Sequence, residues 1–300
     1  MNPITYAVIC LLLSNVFMNP SFAQEPSVDE NALRRAVTFY ASFDEAPKGD
    51  FGGGSLALRT RFNHASEPGK FVFTDGFDAA VFRVARDRGV SGGALECTDV
   101  LPRNGRIFFP GQGNIAFRQG GWSGAVSFWI NTDPNTMLKT GFCDPVQITQ
   151  KGAGNGGLWV DFNNDKPRSL RHGAFPAVAE GRKPIPESDP NAPIVWVKNI
   201  GFKAGDWHHV ALAWKNFDTG RKDARSKLYI DGKKIGEIRD CDLRMDWELE
   251  NTGIYVAVSF VGLLDELALF NRELTGAEAE HLHRHPGTLE NLKRAKPGDR

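Results

Sequence analysis

The chain has 300 residues, 41% of them apolar with 21 phenylalanines, and its 36 basic and 36 acidic side chains give a formal charge of zero. This composition supports a substantial aromatic core. It shows no excess of the positive charge that tracking a polyphosphate needs, so nucleic acid is not an expected partner.

Residues 1–23 lack Asp, Glu, Lys, Arg and His and hold an apolar run, Tyr6 to Phe17, followed by Ser21-Phe22-Ala23. The small residues at 21 and 23 suit a signal peptidase, which would cut after Ala23, and the run falls short of the ~20 residues that span a bilayer. No cysteine follows the cut, so a lipoprotein signal is not indicated. The expectation is a secreted, periplasmic or cell-surface protein with no stable membrane span. Export makes one disulfide plausible among Cys97, Cys143 and Cys241, and the sequence leaves the pairing open.

Residues 24–36 read as a lead-in. Ser27 and Glu30 stand at capping-box spacing before a brief helix over Asn31 to Ala36. From Val37, apolar and polar residues alternate through Phe39, Ala41 and Phe43, the period of a half-buried strand. Ala46 to Gly54 is turn-rich. Phe71 to Phe73, Ala94 to Cys97, Ile107 to Phe109 and Asn114 to Arg118 read as short strands between glycine and proline signals. In the next strand Val126, Phe128 and Ile130 face one way, and Ser127, Trp129 and Asn131 the other.

After Asn163 the prolines at 167, 176, 184, 186, 190 and 193 predict long excursions around a strand near Arg168 to Phe175, because proline lacks the amide that a central strand donates. In Trp207 to Trp214, His208, Val210, Leu212 and Trp214 alternate with Trp207, His209, Ala211 and Ala213. Lys227 to Gly236 carries Asp231-Gly232, a pair that tolerates the positive φ of a tight hairpin turn. A last strand from Val261 leads to Thr275 and Glu278, a second capping box that starts a helix. Pro286 to Arg300 reads as a flexible basic tail whose Lys293, Arg294, Lys296 and Arg300 could tether an acidic polymer.

Trp207-His208-His209-Val210, Asp231-Gly232 and Asp265-Glu266, in that order, resemble the laminin-G-like branch of the concanavalin A-like jelly rolls. Strands like Phe39 to Glu45 and Ala125 to Ile130 agree with it. The resemblance implies an all-β, antiparallel two-sheet sandwich over residues 37–285, with long loops and a short C-terminal helix. It also implies that the first and last strands lie side by side. A calcium ion often sits at that edge, and Asp44 and Asp265 are the residues that would hold it, since calcium takes six to eight oxygens at ~2.4 Å in irregular loops. Such an ion would be structural.

The fold does not choose the function, because this scaffold hosts binding modules, adhesion modules and hydrolases. Trp159 beside Asp161, with Arg171 and His172 nearby in sequence, is the combination best suited to a sugar: an aromatic face to stack on the ring and polar groups for its hydroxyls. Trp196 and Tyr229 are weaker platforms. Asp246, Glu248 and Glu250 alternate as acids on one face of a strand would, ~6.6 Å apart by rise, within the ~5–9.5 Å that two-carboxylate hydrolysis uses. Their order departs from the signature of jelly-roll glycosidases. His281, His283 and His285 do not form a zincin motif, and on a helix His283 points roughly 160° from His281, so they are expected as surface residues. His208 and His209, adjacent on a strand, face opposite sides. The leading expectation is an exported non-catalytic module that binds a glycan or another extracellular ligand; the alternatives are a polysaccharide hydrolase or lyase and a structural cell-surface module.

Overall fold

The protein is described by a computed structural model over residues 28–67, 70–139 and 141–292. The leader, Ser27 and the basic cluster from Lys293 onward lie outside the described residues. Helix α1 (Glu30–Arg35) is capped by Asp29, whose carboxylate accepts the Ala32 amide at 3.0 Å. Seven strands follow: β1 (Val37–Ala41), β2 (Phe51–Gly52), β3 (Arg59–Asn63), β4 (Phe71–Asp75), β5 (Phe82–Ala85), β6 (Ala94–Cys97) and β7 (Arg106–Pro110). The middle of the chain supplies β8 (Trp122–Asn131), β9 (Cys143–Thr149), β10 (Gly157–Phe162), β11 (Leu170–Phe175) and β12 (Ile194–Val197). Last come β13 (His208–Phe217), β14 (Ala224–Ile230), β15 (Lys233–Cys241), β16 (Gly253–Val258), β17 (Gly262–Phe270) and helix α2 (Gly276–Arg284).

These strands form two antiparallel sheets. One runs β15-β14-β13-β8-β17-β1-β2, with β6 also on β17 and β5 on β6; the other runs β12-β11-β10-β9-β16-β7-β3-β4. β1 and β17 are neighbours, with Phe39 opposite Leu269 and Tyr40 opposite Ala268, so the two ends of the domain close one sheet. Between the sheets lies one large apolar cluster. Val126, Phe128 and Ile130 of β8 and Val210, Leu212 and Trp214 of β13 meet Val146, Ile148, Leu158, Val160 and Phe162 of the opposite layer there. Each such side chain, fully buried, contributes about 1.5–3 kcal/mol.

The centre of the first sheet's outer face is covered. Ala125, Ala211, Ala213 and Ala268 project from it, and their small side chains let α2 approach, so Leu274, Ala279 and Leu282 pack on the sheet. The capping box starts that helix as expected: Thr275 Oγ1 accepts the Glu278 amide at 3.2 Å and the Thr275 amide donates to Glu278 Oε2 at 2.8 Å. His281 and His283 are not free surface residues, because α2 docks through them, whereas His285 is exposed. His283 stacks on Trp129 with centroids 5.5 Å apart, and His281 Nε2 lies 3.1 Å from Glu30. His208 and His209 do face opposite sides, His208 stacking on Phe202 at 3.7 Å and His209 bonding Ser127 Oγ at 2.8 Å. In the hairpin turn Asp231 and Gly232 both have positive φ, 49° and 75°.

Three further expectations are corrected. Residues 286–292 do not dangle, since Leu289 is buried and Ser91 Oγ donates to Glu290 at 2.7 Å. Cys97, Cys143 and Cys241 are all unpaired; they sit on β6, β9 and β15, the first two buried in the core. Asp246 to Glu250 is no strand: it is a connection ending in a 3-10 turn, Leu249–Asn251. Met245 and Trp247 plug the core there, and Trp247 Nε1 donates to the Gly156 carbonyl at 2.7 Å. No helix among the described residues is long and apolar enough to cross a membrane.

One polar tie crosses the core. His172 on β11 is fully buried, with Nε2 2.7 Å from Ser226 Oγ on β14 and Nδ1 3.1 Å from the Trp159 carbonyl. Burial pushes its imidazole down to about 4, below the ordinary 6.5. The unfolded chain therefore takes the proton first, and stability present above pH 6.5 is lost as pH falls toward 4. The stability advantage of the native chain over His172→Gln should narrow by about 2 kcal/mol between pH 7 and pH 5, read from urea unfolding at both values.

Candidate functional site

Alternation that sends Val146, Ile148, Leu158 and Val160 inward sends Gln147, Trp159 and Asp161 to the other face of the second sheet, and a register shift between Val146 and Cys143 turns Asp144 out to the same face while Cys143 stays in the core. Likewise Ile107 and Phe109 of β7 and Ile254 and Val256 of β16 are core, so Arg106, Phe108 and Tyr255 face out. No helix among the described residues covers this face. It holds an open groove of about 550 Å³ that reaches from Phe71 and Arg61 across Gln147 and Asp161 to Glu187, a size typical of ligand sites.

One end is organised by Arg171. Register places Asp161, Arg171 and Trp196 side by side on β10, β11 and β12. The guanidinium Nε donates to Asp161 Oδ1 at 2.8 Å, Nη2 to the other oxygen of that carboxylate, and Nη1 to Glu187 Oε2 at 2.6 Å. Its faces are held by Phe142, Trp159 and Trp196, at 4.7, 5.1 and 4.8 Å from the ring centroids. Burial lifts the Asp161 carboxyl to about 6, against the pull of Arg171.

Trp159 is not a platform. Only 1% exposed, it lies beneath Gly173, where an added Cβ would come within 2.1 Å of the indole, and it stacks on Phe175 at 5.9 Å. At the Arg171 end the aromatics open to solvent are Trp196, 44% exposed, and Phe142, 50%. His172 belongs to the core, because it follows Arg171 on a strand and so points the opposite way. Thus Asp161 and Arg171 come together in the groove as a buried ion pair, and Trp159 braces them from below. Asp246, Glu248 and Glu250 are elsewhere: Asp246 lies 3.4 Å from Lys151 at the surface, and Glu248 accepts from Asn251 at 2.9 Å.

At the other end Arg61 Nη1 donates to the Tyr255 hydroxyl at 3.2 Å, and Arg106 Nη1 donates to Gln147 Oε1 at 3.2 Å. Phe108 and Tyr255, 5.2 Å apart, form an apolar floor, with the half-exposed Phe73 edge-on to Phe108. Asp144 lies between the two ends. Its buried carboxyl is pushed well above the ordinary carboxylate range, first by burial and then by the charge of Asp161. Sequence reading missed Arg61, Arg106, Asp144, Gln147 and Tyr255. A period-two pattern exists on β9 and β16, but Pro145 interrupts the first and both strands are short.

Asp44 follows β1, and Asp265 lies on the neighbouring strand β17. Asp44 Oδ1 accepts the Gly93 amide at 2.7 Å, and Asp265 Oδ2 accepts the Val90 and Ser91 amides at 2.8 and 3.3 Å, so both clamp one loop. Burial and the charge of Glu266 raise the Asp265 carboxyl to about 8. Among the described residues no group of three or more His, Cys, Asp or Glu side chains is arranged to hold a metal.

With fold and groove in place, the chain belongs to the concanavalin A-like lectin/glucanases superfamily, whose family model matches residues 104–280. No curated protein matches the sequence. Among solved structures it is similar to the botulinum neurotoxin serotype D ligand-binding domain in complex with N-acetylneuraminic acid. There the TM-score is 0.51 and the identity 11%, over 85% of this chain and 52% of that one. It is also similar to domain 4 of a GH43 extracellular arabinanase from Geobacillus stearothermophilus in complex with arabinotriose, with a TM-score of 0.49 and 18% identity over 82% of this chain and 98% of that chain. An endo-β-1,4-glucuronan lyase from Trichoderma reesei matches with a TM-score of 0.44 and 16% identity, over 78% and 95%. The chain thus spans about half the length of the neurotoxin structure. At these identities the likeness is one of fold.

Removing one partner of a buried ion pair leaves the other uncompensated, at a cost of about 3–5 kcal/mol. Arg171→Met should lose stability of that order at pH 8. Without the guanidinium the Asp161 carboxyl rises above its present value of about 6 and takes a proton as pH falls, so the loss should shrink at pH 5.5. Chemical unfolding at the two pH values checks both statements.

Proposed function

We propose that the protein is an exported, non-catalytic module that binds a glycan in the groove of the second sheet. The observation that carries this reading is the division of the two outer faces: one is covered at its centre by α2 on a bed of alanines, while the other is left open with exposed aromatic rings beside hydrogen-bonding side chains. Sugar rings present apolar C–H faces and a rim of hydroxyls. Trp196 and Phe142 offer surfaces for the faces; Gln147, Asn63 and Glu187 offer donors and acceptors for the rim. The apolar leader supports export. Each stacking contact is worth about 0.5–1.5 kcal/mol, so affinity is modest and grows with the length of the sugar chain. Trp196→Ala and Phe142→Ala should each weaken oligosaccharide binding about 2- to 10-fold in calorimetry, with no reducing ends released from any sugar that binds. Silence in both a glycan array and a reducing-end assay would favour a structural cell-surface module instead.

One observation favours a catalytic second reading. Asp144 carries a buried carboxyl raised well above its usual range, beside Asp161 in an open groove, which is how a general acid is prepared. Release of reducing ends that Asp144→Asn abolishes would establish that reading and displace the first.

We also propose a structural calcium ion at the β1–β17 edge, held by Asp44 and Asp265 with main-chain carbonyl oxygens. What supports this reading is that both carboxylates bind the loop at residues 90–93, that Glu266 follows Asp265, and that the Asp265 carboxyl is raised by burial and by negative charge. The ion would supply the missing positive charge and pin the loop. Calcium should raise the melting temperature relative to EGTA, and Asp265→Asn should remove the difference; equal melting in the two buffers would leave the pair as a loop clamp alone.

A further inference from the structure

The guanidiniums at the two ends of the groove are treated differently by the protein. Arg171 has two carboxylates. Arg61 and Arg106 have no carboxylate within 4 Å among the described residues, although they are direct register partners on β3 and β7. Their hydrogen bonds go to the neutral Tyr255 hydroxyl and Gln147 amide, and the Nε of each is buried without an acceptor. Arg61 is only 9% exposed and is held flat, 4.1 Å from the Phe71 ring centroid and 5.1 Å from that of Tyr255. Burial pulls its guanidinium pKa down, and the charge of Arg106 pulls the same way. Asp144 lines the same groove without pairing with either guanidinium, and burial and the charge of Asp161 push its carboxyl up against the pull of Arg106.

Two adjacent, largely buried cations that lack an anion are costly, and this chain orients both into an open cavity. We infer that the groove's ligand supplies the anion: a glycan bearing carboxylate or sulfate substituents, seated on Arg61 and Arg106 with its adjoining ring toward the Arg171 end. This rests on the glycan reading above. The planar forks of two arginines suit either oxyanion, because both present oxygens at the spacing of paired N–H donors. Tyr255 and Gln147 hold the forks in place.

The experiment is calorimetric titration of the full chain with three probes: oligogalacturonates, their methyl-esterified forms, and sulfated carrageenan oligosaccharides. The first and third arms distinguish carboxylate from sulfate. At least one anionic probe should bind more tightly than the neutral one, with affinity falling as sodium chloride rises. Arg61→Met or Arg106→Met should cost 10- to 100-fold in affinity for it and reduce the salt slope, while leaving the melting temperature unchanged or higher, since an uncompensated buried charge is being removed. Trp196→Ala should weaken anionic and neutral probes alike. Equal binding of the esterified and free oligogalacturonates, unaffected by either arginine change, would overturn the anionic inference and leave the glycan reading standing. Binding of galacturonic acid or inorganic sulfate as tightly as any oligosaccharide would overturn it in favour of a free-anion site. Absence of binding by these probes and by a broad glycan array would overturn both.

Discussion

Two sheets share a single apolar interior, and each strand can bury only one of its faces in it. That constraint decides where every other side chain goes. On β10, committing Leu158, Val160 and Phe162 to the core obliges Trp159 and Asp161 to leave it; on β11, adjacency alone separates Arg171 from His172. The pairing of β1 with β17 makes the arrangement possible, because it joins segments from the two ends of the domain and completes the sheet on which α2 rests.

The two outer faces then diverge through side-chain size and charge. Alanines on β8, β13 and β17 permit a helix to lie close, and the centre of the first sheet becomes buried on both sides. On the second sheet, Arg61, Arg106 and Arg171 forbid such a cover, since sealing three guanidiniums under an apolar helix would cost far more than the burial would return. Water or a ligand must meet that face. Within it, Arg171 is neutralised by Asp161 and Glu187 and braced by three rings, so it serves as rigid structure, whereas Arg61 and Arg106 remain open to a partner.

Much of the architecture was legible from residues alone. Val126 to Ile130 and His208 to Trp214 alternate strictly, Asp231-Gly232 marks its turn, and Thr275 with Glu278 marks the start of α2. Where the reading failed, a local pattern was outweighed by packing. Asp246 to Glu250 alternates like a strand, but Met245 and Trp247 are held in the core by a connection that has no ladder partner. The three histidines near the end look solvent-facing by composition, yet α2 docks through His281 and His283. Trp159, the natural choice for a sugar platform, is covered because Gly173 lies across it on the neighbouring strand.

By itself the sequence determined the long alternating strands, the turn at Asp231-Gly232 and the family to which the domain belongs, since these depend on the period of apolar residues and on turn chemistry within a few positions; Asn114 to Arg118, read as a strand, forms none. It also brought Asp161 and Arg171 into view, though without their contact. Only the tertiary structure decided that Arg61, Arg106, Asp144 and Gln147 share one groove, that Tyr255 holds Arg61 there, and which aromatic rings are exposed on that face. The physical reason is cross-strand register: β3, β7, β9 and β16 are distant in sequence, and hydrogen-bonded pairing, which no local pattern encodes, sets their side chains next to one another.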